Sequence, residues 1–307
     1  MKIDLELRKL SPGRDSIVAV GMFDGVHLGH RHIINHLLST ASKTDRLPVI
    51  VTFHNHPSSI LNPDFIPLYI TDLEERIRLI EEMGVTLVVP ITFDTELSRL
   101  SAQNFVLRLK QHLLMRELVI GPGSAFGSNR EGNFEVLQSI GQSSNFTVSS
   151  TTNLIDNHQP VSSTQIRTAL LQGNINYAAK ILGRNFSITG KVIRGDGRGK
   201  LLGFPTANLA PQPGIIIPAN GIYATSVFID QSCFMAATSI GTRPTFNEGR
   251  RTIEAHILDW ESDLYDKEIR LEFVQRLRDE VKYTSAEALQ RQIYIDIKQT
   301  KLILQSG

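Results

Sequence analysis

The segment Gly21-Met22-Phe23-Asp24-Gly25-Val26-His27-Leu28-Gly29-His30 sets two imidazoles three residues apart, directly behind a glycine-bearing turn. At that spacing near a helix N-terminus, both side chains face one point. Free backbone N–H groups and the positive end of the helix dipole favour a polyphosphate there. Gly29, between the histidines, lets a nucleotide approach the backbone closely. The chemistry implied is nucleotidyl transfer, with His27 and His30 hydrogen-bonding α-phosphate oxygens and stabilising charge as pyrophosphate departs. Gly21, Phe23, Asp24 and Gly29 complete the candidate nucleotide-binding set. Zinc is the competing use of two histidines, disfavoured because no Cys or acidic residue stands at a customary ligand spacing.

Two further segments carry phosphate-binding chemistry. In Ser162-Ser163-Thr164-Gln165-Ile166-Arg167 the hydroxyls would commonly be helix caps and nothing more. With Arg167 one turn inside, Ser163, Thr164 and Arg167 are expected to hold β- and γ-phosphates opposite the histidines. The run Gly195-Asp196-Gly197-Arg198-Gly199-Lys200 is a flexible basic turn leading into Leu201-Leu202-Gly203-Phe204-Pro205-Thr206-Ala207-Asn208. P-loop spacing is absent here and elsewhere, so this cradle, with Gly195, Gly199 and Lys200, is of another kind.

The elements that position these segments come in two textures. Ile17–Gly21, Pro48–Phe53, Val85–Ile91 and Glu117–Gly121 are aliphatic runs that read as strands, alternating with helical patterns at 32–41, 73–84 and 102–114. Near-continuous aliphatic strands imply a parallel sheet covered on both faces, with ligands at the strand carboxyl ends. Residues 162–184 read as two short helices broken at Gly173. Beyond them, strand-like pieces dominate at 186–193, 221–229, 233–240, 252–259 and 268–277, and a long helix closes the chain with Ser285 as its N-cap. The expected class is α/β plus β: a parallel-sheet domain at 1–184 and a β-barrel domain with a C-terminal helix at 185–307.

Composition narrows the function classes. Over 307 residues, 41% are hydrophobic and 21% charged, which is globular rather than disordered. Thirty-two basic residues against 31 acidic ones leave a net charge of +1, so no global field draws the chain to a nucleic-acid backbone. No apolar run approaches a membrane span, and the charged N-terminal segment is unlike a secretory leader. A single cysteine, Cys233, excludes an intrachain disulfide framework and is expected to be a packed small residue. The expected setting is the cytoplasm, with no nucleic acid and no membrane as partner. A homo-oligomer is left open.

Phe-Asp-Gly-Val-His-Leu-Gly-His at 23–30, Thr-Phe-His-Asn-His-Pro at 52–57, the helix pair from Ser162, and the stretch from Gly190 through Asn208 resemble, in this order, the bacterial bifunctional riboflavin kinase/FAD synthetase family. The resemblance covers nearly the whole chain. It implies a Rossmann-like nucleotidyltransferase domain that adenylylates FMN, followed by a small riboflavin-kinase β-barrel, with ATP as co-substrate, Mg²⁺ as cofactor, and riboflavin, FMN and FAD as ligands. It also implies that Thr206 and Asn208 hold Mg²⁺ and ATP phosphates. Glu254 would take the proton of the riboflavin 5′-hydroxyl, His56 would lie on the flavin side of the first site, and Arg278 and Glu280 on the flavin side of the second. Mg²⁺ prefers such hard oxygen ligands, few of them from protein. Trp260 is expected to be core packing.

The chain also departs from the family pattern. Gly121-Pro122-Gly123-Ser124-Ala125-Phe126-Gly127 replaces Gly-x-Asp/Asn-Phe-x-Phe-Gly, losing a polar side chain at Gly123 and a ring at Ser124. Either Ser124, Asn129 or water supplies the missing contact, which the intact phosphate set favours, or the chain is a riboflavin kinase with an impaired or regulatory nucleotide-binding N-terminal domain. Other adenylyltransferases of the superfamily leave the Pro-Thr-Ala-Asn segment idle, and an aminoacyl-tRNA synthetase lacks support in any Lys-rich loop. A flavin sensor without turnover is supported only by Gly123 and Ser124.

Overall fold

The aliphatic runs of the first half become the strands β1 (Ser16–Val20), β2 (Leu47–Phe53), β3 (Leu87–Ile91), β4 (Met115–Ile120) and β5 (Thr147–Ser150) in a computed structural model that describes residues 1–242 and 251–305. All pairings are parallel, in the order β3-β2-β1-β4-β5. Alternate residues of each strand enter different cores, as a doubly covered sheet requires. Val18, Val49, Val89 and Leu118 pack with Phe105 and Leu109 on one face, while Ile17, Ile50, Val88 and Val119 pack with Ile34 and Leu37 on the other.

Several elements of this unit escape the sequence pattern. The helix Lys2–Lys9 buries Ile3 and Leu7, one turn apart, in the first of these cores. Its Glu6 carboxylate accepts the Thr92 amide at 2.8 Å and the Thr92 hydroxyl at 2.7 Å. Its Asp4 pairs with His112 and Arg108, each at 3.2 Å. Burial opposes the Asp4 charge, but the His112 hydrogen bond and the cations around it outweigh burial and hold its carboxyl below the usual value. The helix Phe134–Ser144 and the edge strand β5 are two more. A short hairpin, β6 (Ile155–Asp156) with β7 (Gln159–Pro160), follows β5.

The second compact unit is a closed barrel of β8 (Phe186–Ile193), β9 (Ala207–Pro211), β10 (Gly221–Ile229), β11 (Ser232–Thr242), β12 (Arg251–Ile257) and β13 (Glu268–Arg278), in the order β10-β11-β12-β9-β8-β13. Ile253, Ala255 and Ile257 are buried, and Thr252, Glu254 and His256 face the other way, the alternation of a strand with one face in the core. The closing helix Ala286–Gln305 begins at Ser285, whose hydroxyl accepts the Ala288 amide at 3.2 Å.

The compact units divide between Ser162 and Ser163, whereas the change of texture suggested a boundary near residue 184. The helices Ser163–Leu171 and Ile175–Leu182 group with the barrel because the apolar face of the second, with Ile175, Ala178 and Ile181, is buried, and the Leu170 carbonyl accepts the Ala219 amide at 2.9 Å. Leu68–Thr71 belongs to the same unit, with Tyr69 paired to Gly214 and Ile216 through backbone hydrogen bonds of 2.7 and 2.8 Å. Cys233, expected to be packed, is exposed near the start of β11. Among the described residues, no helix is long and apolar enough to cross a membrane.

Candidate functional site

At the end of β1 the chain turns through Phe23 (φ 49°), Gly25 (φ 82°) and Val26 (φ 40°), three left-handed positions within four residues, and enters the helix Leu28–Thr44. His27 is the N-cap, and its Nδ1 accepts the His30 amide at 3.3 Å. In the neutral ring the proton therefore sits on Nε2. The two imidazoles stack with centroids 3.6 Å apart and an 18° tilt, and Phe23 lies 5.3 Å from the His30 ring. The expected convergence of the histidines is present, with a division between them: His27 is 4% exposed and His30 half-buried. A methyl group on Gly29 would come within 3.1 Å of the His27 ring and 3.3 Å of the Val161 carbonyl, so this glycine makes room for the imidazole. Asp24 is buried beside the turn.

Next to this turn, a cavity of about 470 Å³ opens at the carboxyl ends of the central strands. Phe53, Phe93, Leu97 and Phe105 make it apolar, and Gly21, His56, Ser124 and Arg130 stand on its wall. His56 is fixed by accepting the Ser58 amide on Nδ1 at 3.1 Å and by Phe65, whose ring is 4.8 Å away. Asn129, an expected substitute for the lost side chain at Gly123, does not line the cavity. Its neighbour Arg130 does, and donates to the Gly123 carbonyl at 2.8 Å. A second arginine is likewise placed only by the tertiary structure. Arg76 is 1% exposed and donates to the Thr52 hydroxyl at 3.2 Å and the Phe53 carbonyl at 2.9 Å, while the Thr52 hydroxyl donates to the Met22 carbonyl at 3.0 Å. It ties together the ends of the two strands that carry Met22 and Phe53 to the cavity. Only the tertiary pairing reveals either residue.

On the barrel, Glu254 of β12 stands opposite Asn208 of β9 on one side and Ser239 of β11 on the other. Residues in register share a face of the sheet, and these three line a cavity of about 410 Å³ together with Gly195, Lys200 and Thr206. The Thr206 hydroxyl lies 3.5 Å from the Glu254 carboxylate. Asn208 is 9% exposed, its amide seated against Gly195 where any Cβ would collide. Glu280 lines the same cavity, against Gly241. A neighbouring cavity of about 500 Å³ shares Lys200, Pro205, Thr206 and Tyr265 with it and adds Trp260. Trp260 is thus a cavity wall and not simply core, its indole N–H donating to the Ser262 carbonyl at 2.7 Å.

The remaining expected residues have other surroundings. Gly199 packs against Phe204 and Thr206, and the Arg198 side chain lies outside the described part of the structure. Arg278 lines neither barrel cavity. It forms a two-point ion pair, at 2.9 and 2.7 Å, with buried Asp296 of the closing helix, and this bond raises its pKa. Ser163 opens its helix with Thr164 behind it, and Arg167 donates to the Leu68 carbonyl at 2.6 Å.

Comparison with known proteins bears on both units. A family model described as FAD synthetase matches residues 10–165, and one described as riboflavin kinase matches residues 182–304. A protein of Escherichia coli strain K12, named bifunctional riboflavin kinase/FMN adenylyltransferase, is 34% identical over 300 residues, covering 96% of each chain. Its namesake from Haemophilus influenzae is 31% identical over 291 residues, covering 94% of each. A solved Streptococcus pneumoniae structure described as a macrolide-efflux protein superposes with a TM-score of 0.89 at 30% identity, over 96% of each chain.

Proposed function

The chain belongs to the family of bifunctional riboflavin kinase/FMN adenylyltransferases, and from that premise we propose how its residues divide two successive reactions. At the barrel, the riboflavin 5′-oxygen attacks the γ-phosphorus of ATP, the bond to the β-phosphate oxygen breaks, and FMN and ADP result. At the parallel sheet, an FMN phosphate oxygen attacks the α-phosphorus of a second ATP, and FAD and pyrophosphate result. Residues 1–184 serve the adenylyl transfer and 185–307 the kinase.

The observation that carries the kinase assignment is the row Asn208-Glu254-Ser239 in a cavity that joins another through Thr206 and Lys200. Two cavities meeting at hydroxyl and ammonium groups suit two substrates that exchange a phosphoryl group between them. Glu254 accepts the hydroxyl proton as riboflavin attacks. Thr206 and Asn208 would hold Mg²⁺. Their donors are neutral oxygens, Gly195 leaves the Asn208 amide its place, and no group of three His, Cys, Asp or Glu among the described residues offers a protein-only cage. Such a pair fits an ion that takes its other ligands from phosphate and water. When bound, Mg²⁺ neutralises charge on the transferring phosphate.

For adenylyl transfer, His30 and His27 donate to α-phosphate oxygens from the helix N-terminus, His27 also holding the turn. Gly21, Phe23, Asp24 and Gly29 shape the nucleotide side, and Ser163, Thr164 and Arg167 serve the outer phosphates. The apolar cavity bearing His56 takes the flavin. The change at Gly123 and Ser124 leaves that cavity open, which supports continued adenylylation over a silent domain. ATP dependence and the single thiol fit a cytoplasmic setting. Incubation with riboflavin, ATP and Mg²⁺, followed by chromatography of the flavins, should show FMN and then FAD. Absence of FMN removes the kinase assignment, and FMN accumulating without FAD removes the adenylyl-transfer assignment.

A further inference from the structure

We propose that Arg130 binds the phosphate group of FMN and makes the parallel-sheet site select FMN over unphosphorylated riboflavin, an inference that rests on the adenylyl-transfer reading above. The substrates of the two reactions share an isoalloxazine ring and ribityl chain and differ by one phosphate dianion. A site that must prefer the phosphorylated form needs a positive charge where the phosphate lies. Among the described residues lining the 470 Å³ cavity, Arg130 is the one permanently charged side chain, and most of the wall is apolar or glycine.

That charge is not neutralised locally. Among the described residues Arg130 forms no ion pair, and the carboxylate of the next residue, Glu131, is committed elsewhere, accepting the Ala102 amide at 2.8 Å at the start of a helix. The guanidinium is also aimed. One nitrogen donates to the Gly123 carbonyl at 2.8 Å, which leaves the other donors of the planar fork for a ligand. Asn129 (φ 53°) and Arg130 (φ 58°) are consecutive left-handed residues, a conformation that side chains other than glycine rarely adopt and that persists only where its surroundings hold it. Gly123, the position that lacks the family's polar side chain, has nothing within 4 Å of where a Cβ would stand. The space beside the Arg130 contact is therefore open. Arginine and a phosphate dianion form the paired, charge-assisted hydrogen bonds that such a fork suits. Two phosphate oxygens held in this way leave the third to attack the α-phosphorus of ATP.

The test uses the full chain, measuring FAD formation from FMN and ATP, with lumiflavin, the ring system without ribityl chain or phosphate, as a competing ligand. Arg130→Gln should raise the KM for FMN by about 10- to 100-fold, as loss of a charge-assisted contact does. Arg130→Lys should recover part of the loss. The inhibition constant of lumiflavin, the KM for ATP and FMN formation from riboflavin should stay within about twofold. If the lumiflavin constant rises in step with the KM for FMN, Arg130 only braces the loop and the proposal falls. It also falls if neither constant moves. A wild-type chain that makes no FAD overturns the adenylyl-transfer reading itself, a different result from either.

Discussion

On the proposed assignment, the parallel-sheet site and the barrel site handle the same nucleotide with different materials. At the sheet, the reactive groups follow one strand end within the ten residues 21–30, and the helix N-terminus itself contributes electrostatics. At the barrel, Asn208, Glu254 and Ser239 come from three strands and meet only because the register across β9, β12 and β11 aligns them. A site built largely of backbone retains some function when a side chain is removed. A site built of side chains on adjacent strands depends on each of them. The barrel reaction should therefore be the more brittle of the two.

Glu254→Gln gives the largest expected effect, a loss of about 10²- to 10⁴-fold in FMN formation with FAD formation from supplied FMN unchanged. Equal loss of both activities would contradict the separation of the sites. His30→Ala should cost FAD formation about 10²- to 10³-fold and leave FMN formation alone, the smaller range reflecting the amides that remain. Flavin chromatography reads both variants. Asp296→Ala strands Arg278 without its buried partner and should lower stability by about 3 kcal/mol in urea unfolding, with the barrel activity failing before the sheet activity on heating. Should the barrel instead keep its stability while the KM for riboflavin rises, Arg278 would be a flavin contact and not a strut.

Asp4→Asn tests the smallest effect. The folded carboxyl titrates below its ordinary 3.8, so the stability it contributes is present above that value and is lost as pH falls through the lower folded one. The variant should be less stable than the parent at about pH 7, with the difference shrinking as the pH is taken below 3.8, as urea unfolding across that range would show. A difference that persisted in acid would mean that Asp4 acts by shape and not by charge.

What could be read in advance follows the same contrast. Aliphatic runs and the spacing of the histidines are local signals, and the sheet strands β1 to β4, the stacked imidazoles and the capped closing helix all match them. β5 was not legible because Thr147-Val148-Ser149-Ser150 carries little apolar signal, as an edge strand can afford. β9 was hidden inside a segment read for its chemistry, Pro-Thr-Ala-Asn. The charged letters of the first ten residues concealed an amphipathic helix. Arg76, Arg130 and Arg278 show the limit most clearly. One is buried, one lines a cavity and one pins a helix, and nothing in their sequence neighbours separates those fates.

The turn at Phe23, Gly25 and Val26 has a bearing on how this protein would adapt to heat. Left-handed backbone at a non-glycine residue costs about 1–2 kcal/mol, and a β-branched side chain such as Val26 is among the least suited to it. Glycine at Val26 would relieve that strain but would empty a fully buried position in the core beside Ile34 and Leu37, a loss at least comparable with the gain. Packing therefore holds in place the strained backbone that delivers His27 to its cap and stacks it on His30. Lineages living hot should gain their stability away from this turn, leaving it a conserved weak point in an otherwise hardening domain.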